Sequence, residues 1–248
     1  MSKRDHYFSM STASARFDAW WRGERVDRPP VTLYLEPQGP STGPRSAHAT
    51  LRERWLDIDF QIDSVLARFA VCPAMGDTVP SWFPNVGPDL VATLFGAELE
   101  FGEHTSWCQH VVHSAAGWDD FVATPPGFDG LYWTTIDRMI ERGVERFGDR
   151  YYVAMPDLHG NFDILSGVRG PEELCLDLLD EPDRVRRAGL HASRGYLEAF
   201  RRLHQKLVAL GQPSTTWCSY LHNGPAYVPS CDFLCLVSRE VADRFIRP

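Results

Sequence analysis

No apolar run in the 248 residues reaches the length of a membrane span. The opening stretch, MSKRDHYFSMSTASARFDAWW, lacks the apolar core of a secretory leader. Cysteine is sparse: six residues, at 72, 108, 175, 218, 231 and 235, form no dense disulfide framework. These absences lead to the expectation of a cytoplasmic protein with reduced thiols. Surplus positive charge is also missing. Lys and Arg number 25 against 33 Asp and Glu, a net charge of -8, and no long basic stripe is present. Nucleic acid is therefore not an expected partner, and neither is a membrane. The densest basic stretch places Arg187, Arg194 and Arg201 at seven-residue intervals, which reads as a solvated helix face. The sequence has no G-x-G-x-x-G after a strand, no Walker loop, no G-x-S-x-G and no H-E-x-x-H. Dinucleotide, nucleoside triphosphate, serine hydrolase and zincin chemistries lose their main support. No internal repeat or low-complexity tract is found.

What is present is an ordinary globular composition, 44% hydrophobic, with eight Trp and fourteen Phe. Aromatics suit a deep, lined pocket, and they equally fill plain cores. The pattern along the chain is strand, loop, helix, repeated. A short helix over 13–22 stops at Gly23, and a strand follows over Val31–Leu35. Helical spacing covers 50–66, and ARFAVC begins as a strand. PDLVATLFG reads as a helix with Pro88 near its first position and Gly96 past its end. AELEF, SWCQHVV, RYYVAMPD and PSTTWCSYL read as strands, and FLCLVS as a short apolar run. Helices are expected over FDGLYWTTIDRMIERGVERFG, over GPEELCLDLLDEP, from Pro182 to about Leu210, and over REVADRFIRP. On the long helix Val185, Leu190, Tyr196, Leu197, Phe200, Leu203 and Leu207 are expected to be buried. This order argues α/β with parallel strands and crossover helices. Only about four good strand–helix units are seen, although ~250 residues would normally hold a (β/α)8 barrel.

In parallel α/β folds, ligands sit beyond the carboxyl ends of the strands. The strand ending near 155 delivers PDLHGNFD to that rim, with Asp157, His159, Asn161 and Asp163 inside seven residues. Asp or His transfers protons when burial tunes its pKa, and Gly160 lets a group approach the backbone. The bland reading is that Asp and Asn cap the next helix and shape a turn. A second candidate is MGDTVPSWFPNVGP, where Asp77 follows a strand and Trp82 and Phe83 could wall a pocket or simply pack. A third is TWCSYLHNGPAYVPSCD, where Trp217, Tyr220, His222 and Asp232 flank another strand end. His222, Cys231 and Cys235 match no common zinc spacing, so no metal site is assigned within this chain.

Several stretches in order resemble one family. FDAWWRGERVDRPPV is similar to the opening helix and strand entry of the uroporphyrinogen decarboxylase superfamily. DTVPSWFPNVGPDLVATLFGAELEF is similar to the segment after its second strand. PDLHGNFDILSGVRGPEELCLDLLDEPDRV is similar to its third unit. PSCDFLCLVSREVADRFIRP resembles its D-x-x-x-x-(I/V)-S-x-x-x-x-x-x-F-x-x-P stretch, here Asp232, Val237, Ser238, Phe245 and Pro248. The resemblance implies a TIM (β/α)8 barrel of the uroporphyrinogen decarboxylase type. Residues 1–248 would form a single domain, truncated after about half the barrel, with its C-terminal part missing.

The resemblance implies two chemistries. True uroporphyrinogen decarboxylases need no cofactor and grip carboxylates through an R-Q-A-G-R-Y signature. Here the matching place reads YLEPQGPSTGPR, with only Arg45 near, so a polycarboxylate would be poorly held. Asp77 matches by position the Asp that holds pyrrole nitrogens. The other chemistry is methyl transfer between a corrinoid and a thiol, with zinc held by a His-x-Cys pair and a later Cys. No cofactor is expected within this chain; zinc and a corrinoid are expected only if the missing part carries that site.

The resulting expectation is a decarboxylase-like or methyltransferase-like enzyme domain acting on a small molecule or tetrapyrrole. Asp157, His159 and Asp77 are its expected catalytic residues. Asn161, Asp163, Trp82, Trp217, Tyr220 and His222 are its expected substrate-binding residues. A corrinoid protein and a second copy of the chain are its expected partners. The alternative is a non-catalytic half-barrel acting as a binding or assembly module.

Overall fold

A computed structural model describes residues 10–33, 43–72 and 74–246. In chain order it holds α1 (Met10–Trp21), β1 (Thr32–Leu33), α2 (Leu51–Leu56), α3 (Ile58–Val71), β2 (Met75–Gly76) and β3 (Ser81–Trp82). A 3-10 segment, Pro88–Phe95, leads to β4 (Leu99–Phe101), β5 (Ser106–Cys108), α4 (Gly117–Ala123), α5 (Leu131–Phe147) and β6 (Tyr152–Val153). Then come α6 (Phe162–Arg169), α7 (Pro171–Asp180) and α8 (Pro182–Ala209). A 3-10 turn (Asp232–Leu236), α9 (Arg239–Val241) and a π turn (Ala242–Ile246) follow. The chain is mixed helix and strand, with few and short strands. Among the described residues the sheets are two-stranded: β1–β2 and β4–β5 antiparallel, β3–β6 parallel. No described helix is long and apolar enough to cross a membrane.

Local chemistry explains most element ends. α1 is followed by Gly23 at φ 71°, a left-handed position that glycine takes without steric cost. α2 opens on a capping box, with the Glu53 amide donating to Thr50 and the Glu53 carboxylate accepting from the Thr50 amide. The helical pattern over 50–66 is two helices, because Asp57 leaves the helix and caps α3 through the Phe60 amide. α3 then runs on to Val71, so ARFAVC is helical and not the start of a strand. Ala67, Arg68 and Ala70 are good helix formers, which outweighs the apolar run. PDLVATLF is a 3-10 segment kinked at Asp89, whose carboxylate accepts the Cys108 amide at 2.9 Å. PSTTWCSYL forms no strand beyond an isolated bridge from Ser214 to His222. Tyr34 and Leu35 of the expected first strand, and Pro248 of the final motif, lie outside the described residues.

The long helix corrects one expectation. Leu190 and Leu197 are 54% and 45% exposed. The buried stripe is Val185, Ala188, Ala192, Ala199, Leu203 and Leu207. It keeps the three–four spacing of a buried face but uses small side chains. Small residues let neighbours come close: a Cβ on Gly195 would meet Phe95 at 2.7 Å, and one on Gly189 would meet Phe162 at 3.0 Å. Arg187, Arg194 and Arg201 are exposed as expected, and Arg187 pairs with Asp119 at 2.9 Å.

The chain gathers into two compact units. The first takes its described residues from 10–84, 137–156 and 204–228; the second takes 85–136, 157–203 and 229–246. In the first, Phe17, Val79, Tyr220 and Leu221 form a buried cluster joined by Met10, Tyr152, Cys218 and Ala226. β3 and β6 pair there, Ser81 with Tyr152 and Trp82 with Val153. The second unit buries Trp118, Phe162, Ile164, Leu165 and Leu174. The Trp118 indole donates to Asp177 at 2.8 Å, and Arg169 pairs with the same carboxylate.

Candidate functional site

His159 lies at the centre of the second unit's polar cluster. Its segment pairs in parallel with Ser230, and paired residues in such a bridge share a face. Nε2 of His159 faces Asp157 Oδ2 at 3.4 Å. Nδ1 faces Asp163 Oδ2 at 3.1 Å and Asp232 Oδ2 at 3.9 Å. The imidazole is therefore flanked by carboxylates on both nitrogens. Hydrogen bonds to Asp157 first and Asp163 second raise its pKa to about 10, against the opposing effect of burial. At neutral pH it is an imidazolium, a charged donor on both sides.

Asp163 is the anchor of the cluster. It stands in the first turn of α6, where a carboxylate meets the positive end of the helix. Its two oxygens accept the Asp232 and Phe233 amides, each at 2.8 Å. One side chain thus joins α6, the His159 ring and the opening of the 232–236 turn. Hydrogen bonds to a charged group contribute about 1.5–3 kcal/mol each. Asn161, just before α6, has φ 56° and ψ −120°, a conformation costly for a residue with a Cβ. Its side chain amide donates to the Ile246 carbonyl at 3.1 Å.

Three further groups complete the surroundings. Tyr196, from α8, packs its ring over Gly160, where a Cβ would meet the ring at 2.9 Å. Burial first, and the Asp157 charge second, push the Tyr196 phenol up to about 12. Asp89 is raised by burial, opposed by the Cys108 amide and by His159. Asp157 Oδ1 and Ser230 Oγ are buried and have no hydrogen-bond partner among the described residues.

His159, Asp163 and Asp232 hold donor atoms within 4.8 Å of one another, a spacing that could take a metal ion. Both ring nitrogens already face carboxylates, however, and both Asp163 oxygens accept backbone amides. The set is an internally paired charge network.

The other expected residues lie in the first unit. Asp77 is fully buried. Arg16 donates to its Oδ1 at 2.7 Å, and Arg28 and the Val31 amide donate to its Oδ2. Burial pushes its carboxyl up, but the Val31 amide and the two arginines outweigh this and hold it below the usual range. Arg16 also grips Asp27, with contacts of 2.8 and 2.7 Å. Trp82 packs edge-on against Phe147 at 5.7 Å. Tyr220 belongs to the buried cluster, and Trp217 is 42% exposed. The His222 ring stacks edge-on against Trp21 at 4.7 Å and accepts the Gly224 amide at 2.9 Å. The structure thus joins Asp157, His159 and Asp163 in one cluster, turns the Asn161 side chain to the Ile246 carbonyl, and adds Ser230, Asp232, Tyr196 and Asp89. Only Asp232 of those four stood out in the sequence, as a residue flanking a strand end.

The chain matches no protein-family model and no curated protein sequence. Among solved structures it is similar to a methyltransferase from Methanosarcina mazei, with a TM-score of 0.52 and 13% identity. The alignment covers 81% of this chain and 57% of that one. The likeness is one of fold.

Proposed function

We propose that the chain is part of a methyltransferase-like enzyme built on a (β/α)8 barrel of the uroporphyrinogen decarboxylase type. The fold likeness to a methyltransferase over 81% of the chain carries this reading. The polar cluster favours it over decarboxylation of a polycarboxylate. Asp157, Asp163 and Asp232 surround one imidazolium, and none of the ion pairs described above brings an arginine to them. Arg16 and Arg28, the nearest in kind to a carboxylate-gripping pair, are engaged by Asp77 and Asp27. A polyanion would meet net negative charge.

In this reading His159 and Asp157 position the substrate group, and Asp163 fixes the imidazolium beside Asp157. The transformation would pass a methyl group from a methylcorrinoid to a thiol, the corrinoid keeping the electron pair of the broken cobalt–carbon bond and the thiol losing its proton. The chain's own thiols do not fit a zinc site for that thiol. No His-x-Cys pair occurs in the sequence. Burial, the Asp89 charge and a hydrogen bond to Asp89 all disfavour the Cys108 thiolate. Burial and Asp163 push Cys231 up to about 11. Thiol activation is therefore assigned to residues other than these.

The test incubates the full-length protein with methylcobalamin and a small thiol and follows the corrinoid spectrum and the methyl thioether by mass spectrometry. A parallel incubation with a pyrrole polycarboxylate follows carbon dioxide release. Thioether formation without carbon dioxide is expected, with turnover at least about tenfold lower in Asp157→Asn. Carbon dioxide release without methyl transfer would overturn the proposal. Neither reaction in a folded protein would favour the binding-module alternative.

A further inference from the structure

We propose that Tyr196 is a positioning residue of the Asp157–His159 site, acting through its ring on the backbone at Gly160. The inference rests on the reading of residues 157–163 as the substrate site. Gly160 and the Tyr196 ring pack closely enough that a Cβ at 160 would not fit without displacing the ring. A Cβ built on Gly160 falls 2.9 Å from both Cδ2 and Cε2 of Tyr196 and 3.3 Å from Cγ. Ring carbons cannot swing aside as the tip of a flexible side chain can. The backbone at 160 therefore rests directly on the face of the ring.

The consequence appears at the next residue. The chain turns away at Asn161 with φ 56°, a conformation that persists only when surroundings impose it. Two contacts hold it here: the Tyr196 ring against the preceding Gly160, and the Asn161 side-chain amide donating to the Ile246 carbonyl. Between them the path of 157–161 is fixed, and with it the 3.4 Å separation of Asp157 and His159. Helix α8 thereby becomes part of the site, although nothing in its sequence beside Tyr196 marks it. A misplacement of about 1 Å in a reacting group can lower a rate roughly a hundredfold, so this contact bears on chemistry as well as packing.

The test uses the full chain and four variants: Gly160→Ala, Tyr196→Leu, Gly160→Ala with Tyr196→Leu, and Tyr196→Phe. The readout is the pair of downfield His159 ring N–H resonances at one pH, assigned by their loss in His159→Gln. Tyr196→Phe keeps the ring and is expected to keep the resonances in place. Each of Gly160→Ala and Tyr196→Leu is expected to shift or broaden them, and the double variant to bring them back towards the wild-type positions. Resonances unmoved in Gly160→Ala, or shifts that simply add in the double variant, would overturn the proposal. Should Gly160→Ala fail to fold, Tyr196→Leu against Tyr196→Phe still decides it, since equal spectra would remove the ring's role. The resonances do not require turnover, so this inference and the methyl-transfer reading can fail separately.

Discussion

At the scale of the residue, His159 organises the site through its charge. Its folded pKa, about 10, stands above its ordinary value of 6.5. Its contribution to stability is thus fully present below the unfolded value and is lost as pH rises through the folded one. The melting temperature is expected to decline between about pH 6.5 and 10, and His159→Gln should flatten that decline. Calorimetric scans across the range check it; parallel slopes in the two proteins would show that the imidazolium contributes nothing. The seven residues from Asp157 to Asp163 were legible in the sequence, because polar residues directly after a buried strand stand out locally. Ser230, Asp232 and Tyr196 reach the cluster through pairing and packing over long sequence separations. Nothing beside Tyr196 marks it: its neighbours Gly195 and Leu197 fit any amphipathic helix.

At the scale of the element, the short helix α1 is tied down by charge. Arg16, in its middle, reaches the buried carboxylate of Asp77 just after β2, and Arg28 reaches the same group from the strand entry. The Asp77 carboxyl lies below its ordinary value of 3.8. The stability it adds is present above that value and is lost as pH falls through the lower, folded one. Asp77→Asn should lower the melting temperature at neutral pH by several degrees, at about 2–4 °C per kcal/mol for a chain of this size. The gap to wild type should close on strong acidification. A gap that stays constant down to pH 2 would mean that the ion pairs are not the source.

Elements differ in how well the sequence announces them. α5, α7 and α8 were readable from periodicity and flanking Gly and Pro. The strands were not measurable in advance, since a run such as RYYVAMPD pairs over only two residues, Tyr152 and Val153. The expected buried face of α8 holds at Val185, Leu203 and Leu207 and fails at Leu190 and Leu197, because bulk alone does not mark burial where the helix packs through Ala188, Ala192 and Ala199.

At the scale of the whole molecule, each unit is assembled from three separated stretches of chain, an arrangement no local pattern could announce. The fold that these stretches share with the methyltransferase spans 57% of that protein. Apolar side chains also remain at the surface. Leu176 and Leu179, one turn apart on α7, are 60% and 74% exposed and form a small apolar patch. Replacing both by Lys should lower the binding of a hydrophobic dye without lowering the melting temperature. Unchanged dye fluorescence would place the sticky surface elsewhere.

The 232–236 turn, hung from the Asp163 carboxylate, also carries Cys235, an exposed thiol. Cys108 is buried and Cys231 half-buried, and burial holds both in the less nucleophilic thiol form. A fluorophore attached through maleimide chemistry at Cys235 would ride on the same turn as Asp232. Its emission would then report directly on whatever loosens or tightens the grip of Asp163, turning a structural tether into a built-in reporter of occupancy.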